Sequence, residues 1–327
     1  MKMKKKALVL GAGGFIGTHL VSDLKQQGFW VRGVDLKYPE YSESDADEFI
    51  IADLGTEAGM HMAMDQTFNE VHQLAADMGG AGYIFTGEND AQVMRNSSLI
   101  NLLFLKASEQ YQPGVVFYAS SACVYPQSNQ GNTYNPTTAE DTVYPADPDS
   151  DYGWEKLNSE RLYLAHARNS GLNVRIGRFH NVFGPLGSWG NGKEKAPAAI
   201  CRKVAEALDG GSIEVWGDGE QTRSFLFIDE CLIAMRKLMN SDLADPINIG
   251  SSEMVSINQL AEKVISMSGK KLSLLHIEGP QGVRGRSSDN RFIEASLGWR
   301  PQEELQVGLK TTYEWINNQV ESKASTE

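Results

Sequence analysis

Apolar positions in this chain fall into short runs separated by helical patterns. Lys6 to Leu10 is the first run and predicts a buried strand; GAGGFIG, Gly11 to Gly17, follows at once, and Leu20, Val21 and Leu24 then repeat at helical spacing. Trp30 to Val34 predicts a second strand ending in Asp35, 18 residues beyond Gly17, which closes a βαβ unit. Further runs at Glu48 to Ile51, Glu70 to Leu74, Val115 to Tyr118 and Asn173 to Arg178 alternate with helical stretches. That alternation predicts an α/β fold with a doubly wound parallel sheet.

Past Arg178 the pattern loosens. A glycine-rich loop runs from Gly184 to Gly192, a helix is expected from Pro197 to Leu208, and a strand near Glu214 to Trp216. Ser256 and Gln259 have the spacing of a capping box for a helix reaching about Met267. The expected division is residues 1–178 as a nucleotide-binding unit of Rossmann type, rejoined by about 218–250, with 179–217 and 251–320 forming a smaller α/β substrate-binding unit. The end of the chain, from 321 to 327, is rich in Glu, Ser, Lys and Thr and is expected to fray.

Composition narrows the classes. Of 327 residues, 41% are apolar and 22% charged, values of an ordinary globular chain. Thirty Lys and Arg against 42 Asp and Glu leave a net charge of −12, which argues against broad binding of nucleic acid or of an anionic membrane. Cys123, Cys201 and Cys231 form no CxxC pair, and the six histidines show no ligand spacing, so neither a disulfide framework nor a metal is proposed and a reducing cytoplasm is expected. No apolar window approaches the roughly 18 residues of a membrane span.

The glycine turn carries the first chemistry. Gly11 permits the tight turn, Gly14 lets main chain approach a pyrophosphate, and Gly17 lets the helix pack closely, while the helix start at Phe15 and Ile16 offers free amides to phosphate. Asp35 is placed to accept from an adenosine ribose and to repel a 2′-phosphate, which favours NAD over NADP, although Arg32 and Lys37 stand nearby. Tyr152 and Lys156 lie one helical turn apart on one face. A cationic Lys156 would favour the phenolate and let Tyr152 take a hydroxyl proton. By itself this spacing fits an ordinary amphipathic helix equally well; its position after a nucleotide fold and the Ser120-Ser121 strand end raises its interest.

These segments resemble the extended short-chain dehydrogenase/reductase family of nucleotide-sugar-modifying enzymes over nearly the whole chain. The resemblance rests on GAGGFIG, Asp53 after the third strand, Leu74-Ala75-Ala76, Asn96, SSACVYP around Ser121 to Pro126, YGWEK from Tyr152 to Lys156, RFHNVFGP, WGDGEQTRSFLFIDE and LGWRP. It implies NAD as cofactor, Tyr152, Lys156 and Ser121 as the redox group, and pairing of copies as a homodimer through two helices each. AADMGGAGYI, GNGKEKAPAAICRK and VRGRSSDN are most similar to the members that epimerise a GDP-hexose at C3 and C5, which implies a nucleotide-diphosphate sugar, GDP-mannose, as substrate.

In the related dehydratases an Asp-Glu pair follows the catalytic Thr; here Ala122 and Cys123 stand there, which disfavours that activity. The resemblance assigns Cys123 as base and Lys195 as the opposing acid, with Lys193 the nearest competitor. For the residues alone, a buried core cysteine and a solvated loop lysine are the ordinary readings. Gly79, Glu194, Ala196, Asn181, Lys203, Gln221, Arg223 and Arg286 are expected around the substrate, the cations on its diphosphate. The implied reaction oxidises C4 transiently, exchanges protons at C3 and C5, and reduces C4 again. A 4-epimerase, a 4,6-dehydratase, a decarboxylase, a net reductase and a non-catalytic NAD-binding protein remain alternatives.

Overall fold

The structure, a computed structural model, describes residues 4–280 and 282–324. Seven parallel strands form the central sheet: β1 (Lys6–Leu10), β2 (Trp30–Asp35), β3 (Glu48–Ile51), β4 (Glu70–Gln73), β5 (Val115–Ser121), β6 (Val174–Phe179) and β7 (Ile247–Ile249). Their spatial order is β7-β6-β5-β4-β1-β2-β3. The order reverses direction between β1 and β4, and in open sheets of this kind the crevice beyond that reversal, at the carboxyl ends, is where ligands bind.

Ala7 to Leu10 are buried on both faces, as a central parallel strand must be. Ala7 and Val9 join the core beneath α1 (Phe15–Gln26), while Leu8 and Leu10 join the opposite core beneath α2 (Asp90–Tyr111) and α3 (Asp151–Ser170). The period-two alternation therefore sorts one strand's side chains into two layers.

After α3 the chain leaves the sheet. Helices α4 (Ala196–Glu206), α6 (Ile257–Ser268) and α7 (Leu305–Ala324) pack on one another, while α5 (Ile228–Met239) lies on the sheet before β7 adds to β6. Ser212–Trp216 pairs in parallel with Ser273–Ile277, and Thr222–Ser224 is flanked by Met254–Ser256 and Gly285–Arg286. A continuous hydrophobic core runs from the sheet into these helices, so the second unit is woven onto the first. The predicted capping box is present, Ser256 Oγ accepting from Gln259 N–H and Gln259 Oε1 from Ser256 N–H. The helix expected from Pro197 to Leu208 spans Ala196–Glu206.

The expectation of a frayed tail is corrected: α7 continues to Ala324, and residues 325–327 lie outside those described. The polar composition misled because Glu, Lys and Ala are strong helix formers, and Lys323 finds the ring of Trp189 at 4.2 Å.

At the floor of the sheet Glu70, only 5% exposed, receives both arms of Arg236 from α5, at 2.5 and 3.2 Å, and lies 3.3 Å from His72 Nε2. Burial would raise its pKa, but hydrogen bonds from His72 and Arg236 overcome it and hold the carboxyl down to about 2. A carboxylate depressed in the folded state stabilises fully above its ordinary value of 4.5, and the contribution fades as pH falls towards 2. Glu70→Gln should therefore cost about 3 kcal/mol near neutral pH. In urea titrations the gap from the parent chain should close as the medium is acidified below about 4.5; a gap independent of pH would contradict this account.

Candidate active site

The glycine turn lies at the carboxyl end of β1, at the reversal of strand order. Gly11 has φ +89° and presses against β4's extension: a Cβ there would meet the Ala75 nitrogen at 2.8 Å. A Cβ on Gly17 would fall 2.0 Å from the Gly11 carbonyl oxygen, so α1 can dock on the turn only with glycine at that position. Gly14 caps α1 without a side chain, and no acidic residue occupies the first turn at Phe15, Ile16 and Gly17. The amides there remain directed at the crevice.

Asp35, at the end of β2, accepts from Gly13 N–H at 2.9 Å and Leu36 N–H at 2.7 Å; burial raises its pKa and these amides oppose the rise. Gly13 was missed by the sequence reasoning, which had weighted only the fingerprint glycines. Arg32, the cation that complicated the cofactor preference, points elsewhere. It is paired with Glu48 and Asp65, both at 2.7 Å, and lies over the rings of Trp30 and Phe68, while Lys37 pairs with Glu40. Asp53 Oδ1 accepts from Gly55 N–H in the turn after β3, and Ala75 N–H donates to Gln73 Oε1. A small-residue turn, a glycine-capped helix and a carboxylate at the end of β2 make a cradle that fits a dinucleotide; Lys37 is the cation whose charge reaches Asp35, and Glu40 holds it.

Ser121 ends β5 and its hydroxyl accepts from Cys123 N–H at 3.2 Å, capping the short turn Ala122–Val124. Tyr152 and Lys156 come from α3, which Ser150 caps. That helix approaches the Cys123 turn so closely that a Cβ on Gly153 would stand 2.2 Å from the Cys123 carbonyl oxygen. Lys156 Nζ donates to the Ala119 carbonyl at 2.9 Å and lies 5.1 Å from the Tyr118 ring and 5.7 Å from that of Tyr152. Burial governs these groups. It pushes the Tyr152 phenol well up, with Cys123 adding to the rise and a hydrogen bond with Ser121 opposing it; it pushes Lys156 down against Glu155, Glu160 and Cys123.

Cys123 is buried and its thiol pKa is raised by desolvation, with Arg286 the leading opposing influence. The sequence reasoning named Lys195 as the cation beside the thiol and set Arg286 on a diphosphate. The side chain in contact is Arg286: Nη1 reaches Cys123 Sγ at 3.2 Å, Nε donates to Gln130 Oε1 at 2.5 Å, and Nη2 pairs with Asp149. Gln130 and Asp149 were not anticipated. Asp149 lies just before the Ser150 cap of the tyrosine helix, a position that could have drawn notice.

Lys195 lies at the N-cap of α4, half-buried, where burial and the charge of Arg286 disfavour its charge, while Cys123 and Cys231 favour it. Its competitor Lys193 is exposed and stacks at 4.0 Å over Tyr83, whose hydroxyl donates to Asp77 Oδ1; Asn96 donates to Asp77 Oδ2. Gly80 N–H donates to the Lys193 carbonyl, and Gly79 packs against Tyr83.

Other expected substrate residues divide. Arg223 joins the Arg286 side of the cavity, and burial together with Arg286 lowers its pKa to about 9. Gln221 donates to the Trp216 carbonyl and leaves Oε1 buried without a partner. Asn181, at φ 46°, donates to the Ser224 carbonyl. Glu194 is committed to Gly192 N–H and Arg202, ahead of Ala196 at the start of α4, and Lys203 donates to the Glu214 carbonyl under the Trp216 ring. Neither side chain makes a contact with the Cys123 cluster. His180 Nε2 bonds to Asn248 Oδ1, and burial lowers its pKa to about 3. Among the described residues no group of His, Cys, Asp and Glu could hold a metal, and no helix is long and apolar enough to cross a membrane.

Fold and cradle together define a nucleotide-dependent enzyme of the epimerase and dehydratase class. Residues 7–250 match the NAD dependent epimerase/dehydratase family, and the chain belongs to it. It is 45% identical over 320 residues to a GDP-mannose 3,5-epimerase of Arabidopsis thaliana, covering 97% of this chain and 84% of that protein. A GDP-mannose 3,5-epimerase 1 of Oryza sativa subsp. indica is 43% identical, over 98% and 84% of the two chains. Among solved structures, a UDP-glucose 4-epimerase from Thermotoga maritima superposes with a TM-score of 0.84 at 24% identity, over 96% of this chain and 99% of that one. That likeness bears on the fold.

Because Arg286 opposes the desolvation of Cys123, Arg286→Gln should raise the thiol pKa further. Each unit of rise lowers the thiolate fraction at pH 8 about tenfold. Iodoacetamide labelling of Cys123, followed by peptide mass spectrometry, should slow accordingly; an unchanged rate would remove Arg286 from control of the thiol.

Proposed function

We propose that this chain is an NAD-dependent isomerase that converts GDP-mannose to GDP-L-galactose by epimerisation at C3 and C5, with GDP-gulose as the product of inversion at C5 alone. The observation that carries the reading is the approach of the Cys123 turn to the helix of Tyr152 and Lys156, where a Cβ on Gly153 would stand 2.2 Å from the Cys123 carbonyl oxygen; the Cys123 sulfur also acts electrostatically on Lys195. Residues 1–178, with about 218–250, serve as the cofactor half, and 179–217 with 251–320 as the substrate half.

NAD⁺, which the Gly11–Gly17 turn and Asp35 would hold, would supply a reversible two-electron acceptor for C4, so that net redox change is zero. Tyr152, with Lys156 beneath it and Ser121 hydrogen-bonded to it, takes the C4 hydroxyl proton. The 4-ketone acidifies the hydrogens at C3 and C5. Cys123, as thiolate beside Arg286, withdraws one of these protons, and the Lys195 ammonium supplies a proton to the opposite face of the enolate. Lys195 suits that role because its burial makes the charged form easy to discharge. Arg223, a buried guanidinium beside Arg286, favours a nucleotide diphosphate nearby.

The free thiols fit a reducing cytoplasm. A homodimer is favoured by α2 and α3, packed side by side, which expose Leu99, Leu102 and Trp154 at 41, 49 and 42%. Leu102→Glu should convert a sedimenting dimer to monomer; an unchanged sedimentation coefficient would exclude that face.

Run in D₂O with GDP-mannose, the enzyme should place deuterium at C3 and C5, read by NMR. Label at neither carbon would eliminate the proton chemistry, and a 4-epimerase would give that result. Cys123→Ala should lose at least a hundredfold in exchange while still binding GDP-mannose. Full activity in that variant would remove the thiol from the mechanism.

A further inference from the structure

Lys156 is flanked by two buried carboxylates of its own helix, Glu155 and Glu160. They are not equivalent. Glu160 is gripped by both arms of Arg178, at 2.8 and 2.9 Å, and also accepts from Ser120 Oγ, so its charge is already matched. Glu155 has only neutral hydrogen-bond partners: Oε1 accepts from Asn101 Nδ2 at 3.0 Å and Ser159 Oγ at 2.7 Å, and Oε2 is buried without a partner. An ionised carboxylate so placed requires a nearby cation.

The surroundings leave one candidate. Asn101 reaches over from α2, with its Oδ1 accepting from Gln73 of β4 and Tyr163 of α3; Tyr163 stacks on Tyr118 of β5 at 4.4 Å, and Lys156 lies over the same Tyr118 ring. The titratable groups facing this pocket are Tyr118, Tyr152 and Tyr163, with Cys123 beyond Lys156. The tyrosines are neutral and Cys123 is a thiol at rest. Lys156, whose Nζ donates to the Ala119 carbonyl, is thus the cation whose charge Glu155 supports, at a separation longer than a direct ion pair.

We propose that Glu155 is a positioning residue of the active site, the counter-charge of Lys156, held in place by Asn101 and Ser159. The chain of bonds continues from Asn101 to Gln73, whose amide both accepts from Ala75 N–H and donates to the Ala75 carbonyl. One polar thread therefore ties the helix of Tyr152 and Lys156 to the Leu74–Ala76 turn. This inference rests on the reading of Lys156 as the partner of Tyr152; the charge pairing itself is measurable without a sugar nucleotide.

The test is ¹⁵Nζ NMR titration of lysine-labelled, NAD-loaded protein, with the Lys156 signal assigned by Lys156→Arg. In Glu155→Gln the Lys156 midpoint should fall by about one pH unit or more. The high-pH limb of hydride transfer, followed at 340 nm, should move down by the same amount, with the rate recovering at lower pH. An unchanged midpoint overturns the proposal, even if turnover is lost, because a structural role alone would lower the rate equally at every pH. Should Glu155→Gln fail to fold, Glu155→Asp decides: withdrawing the carboxylate must lower the Lys156 midpoint, and a fixed midpoint overturns the pairing. Absence of deuterium exchange would sink the proposed function and leave either titration result standing.

Discussion

Desolvation is the constraint under which this site works. Burial moves the groups proposed to react towards neutrality: the phenol of Tyr152 and the thiol of Cys123 upward, the amines of Lys156 and Lys195 downward. A neutral phenol and a neutral thiol are poor bases. The rest of the architecture therefore acts by placing fixed charges where neutrality would be unproductive. Arg286 touches the sulfur, and a buried carboxylate neighbours each lysine-facing surface of α3. These placements are tolerable because nearly every buried charge has an assigned partner: Arg178 with Glu160, Arg286 with Asp149, Arg236 with Glu70.

The fold makes such pairing possible by converging distant segments on the carboxyl edge of the sheet. Arg286 and Cys123 lie 163 residues apart, and the short strand Gly285–Arg286 is held there by pairing with Thr222–Ser224. That strand also carries Arg223, so two guanidiniums enter from adjacent backbone positions. Burial first, and then the charge of Arg286, lowers the pKa of Arg223.

What was legible in the sequence was local. The strands from Lys6 to Leu10 and Glu48 to Ile51 fall where hydrophobic runs put them, and the turn glycines make the close contacts that only glycine permits. The capping box at Ser256 was equally readable, because its two partners are three residues apart. Contacts between remote segments were not readable. Nothing near Arg286 announces Cys123, Gln130 or Asp149 as its partners, and a charge count cannot tell Lys203, bound to a main-chain carbonyl, from a cation facing the cavity. The tail failed for a different reason: composition suggested exposure, and exposure was mistaken for disorder, although its residues favour helix.

The same electrostatics explain why a cysteine suits the position after Ser121-Ala122. A carboxylate placed there would meet Arg286 in a charge-assisted pair, as Asp149 already does, and the pair would hold its pKa below the ordinary carboxylate range. Such a group would be ionised but too weak to take a carbon-bound proton. A thiol starts from about 8.5; burial raises it, and the same arginine opposes that rise without driving the group far below neutrality, so the thiolate stays within reach as a strong base. Burial then works in its favour, because a desolvated thiolate, once formed, is the stronger base. The substitution of sulfur for carboxylate and the arginine that faces it form one device: exchanging Cys123 for a glutamate would require loss of Arg286 to restore a comparable basicity.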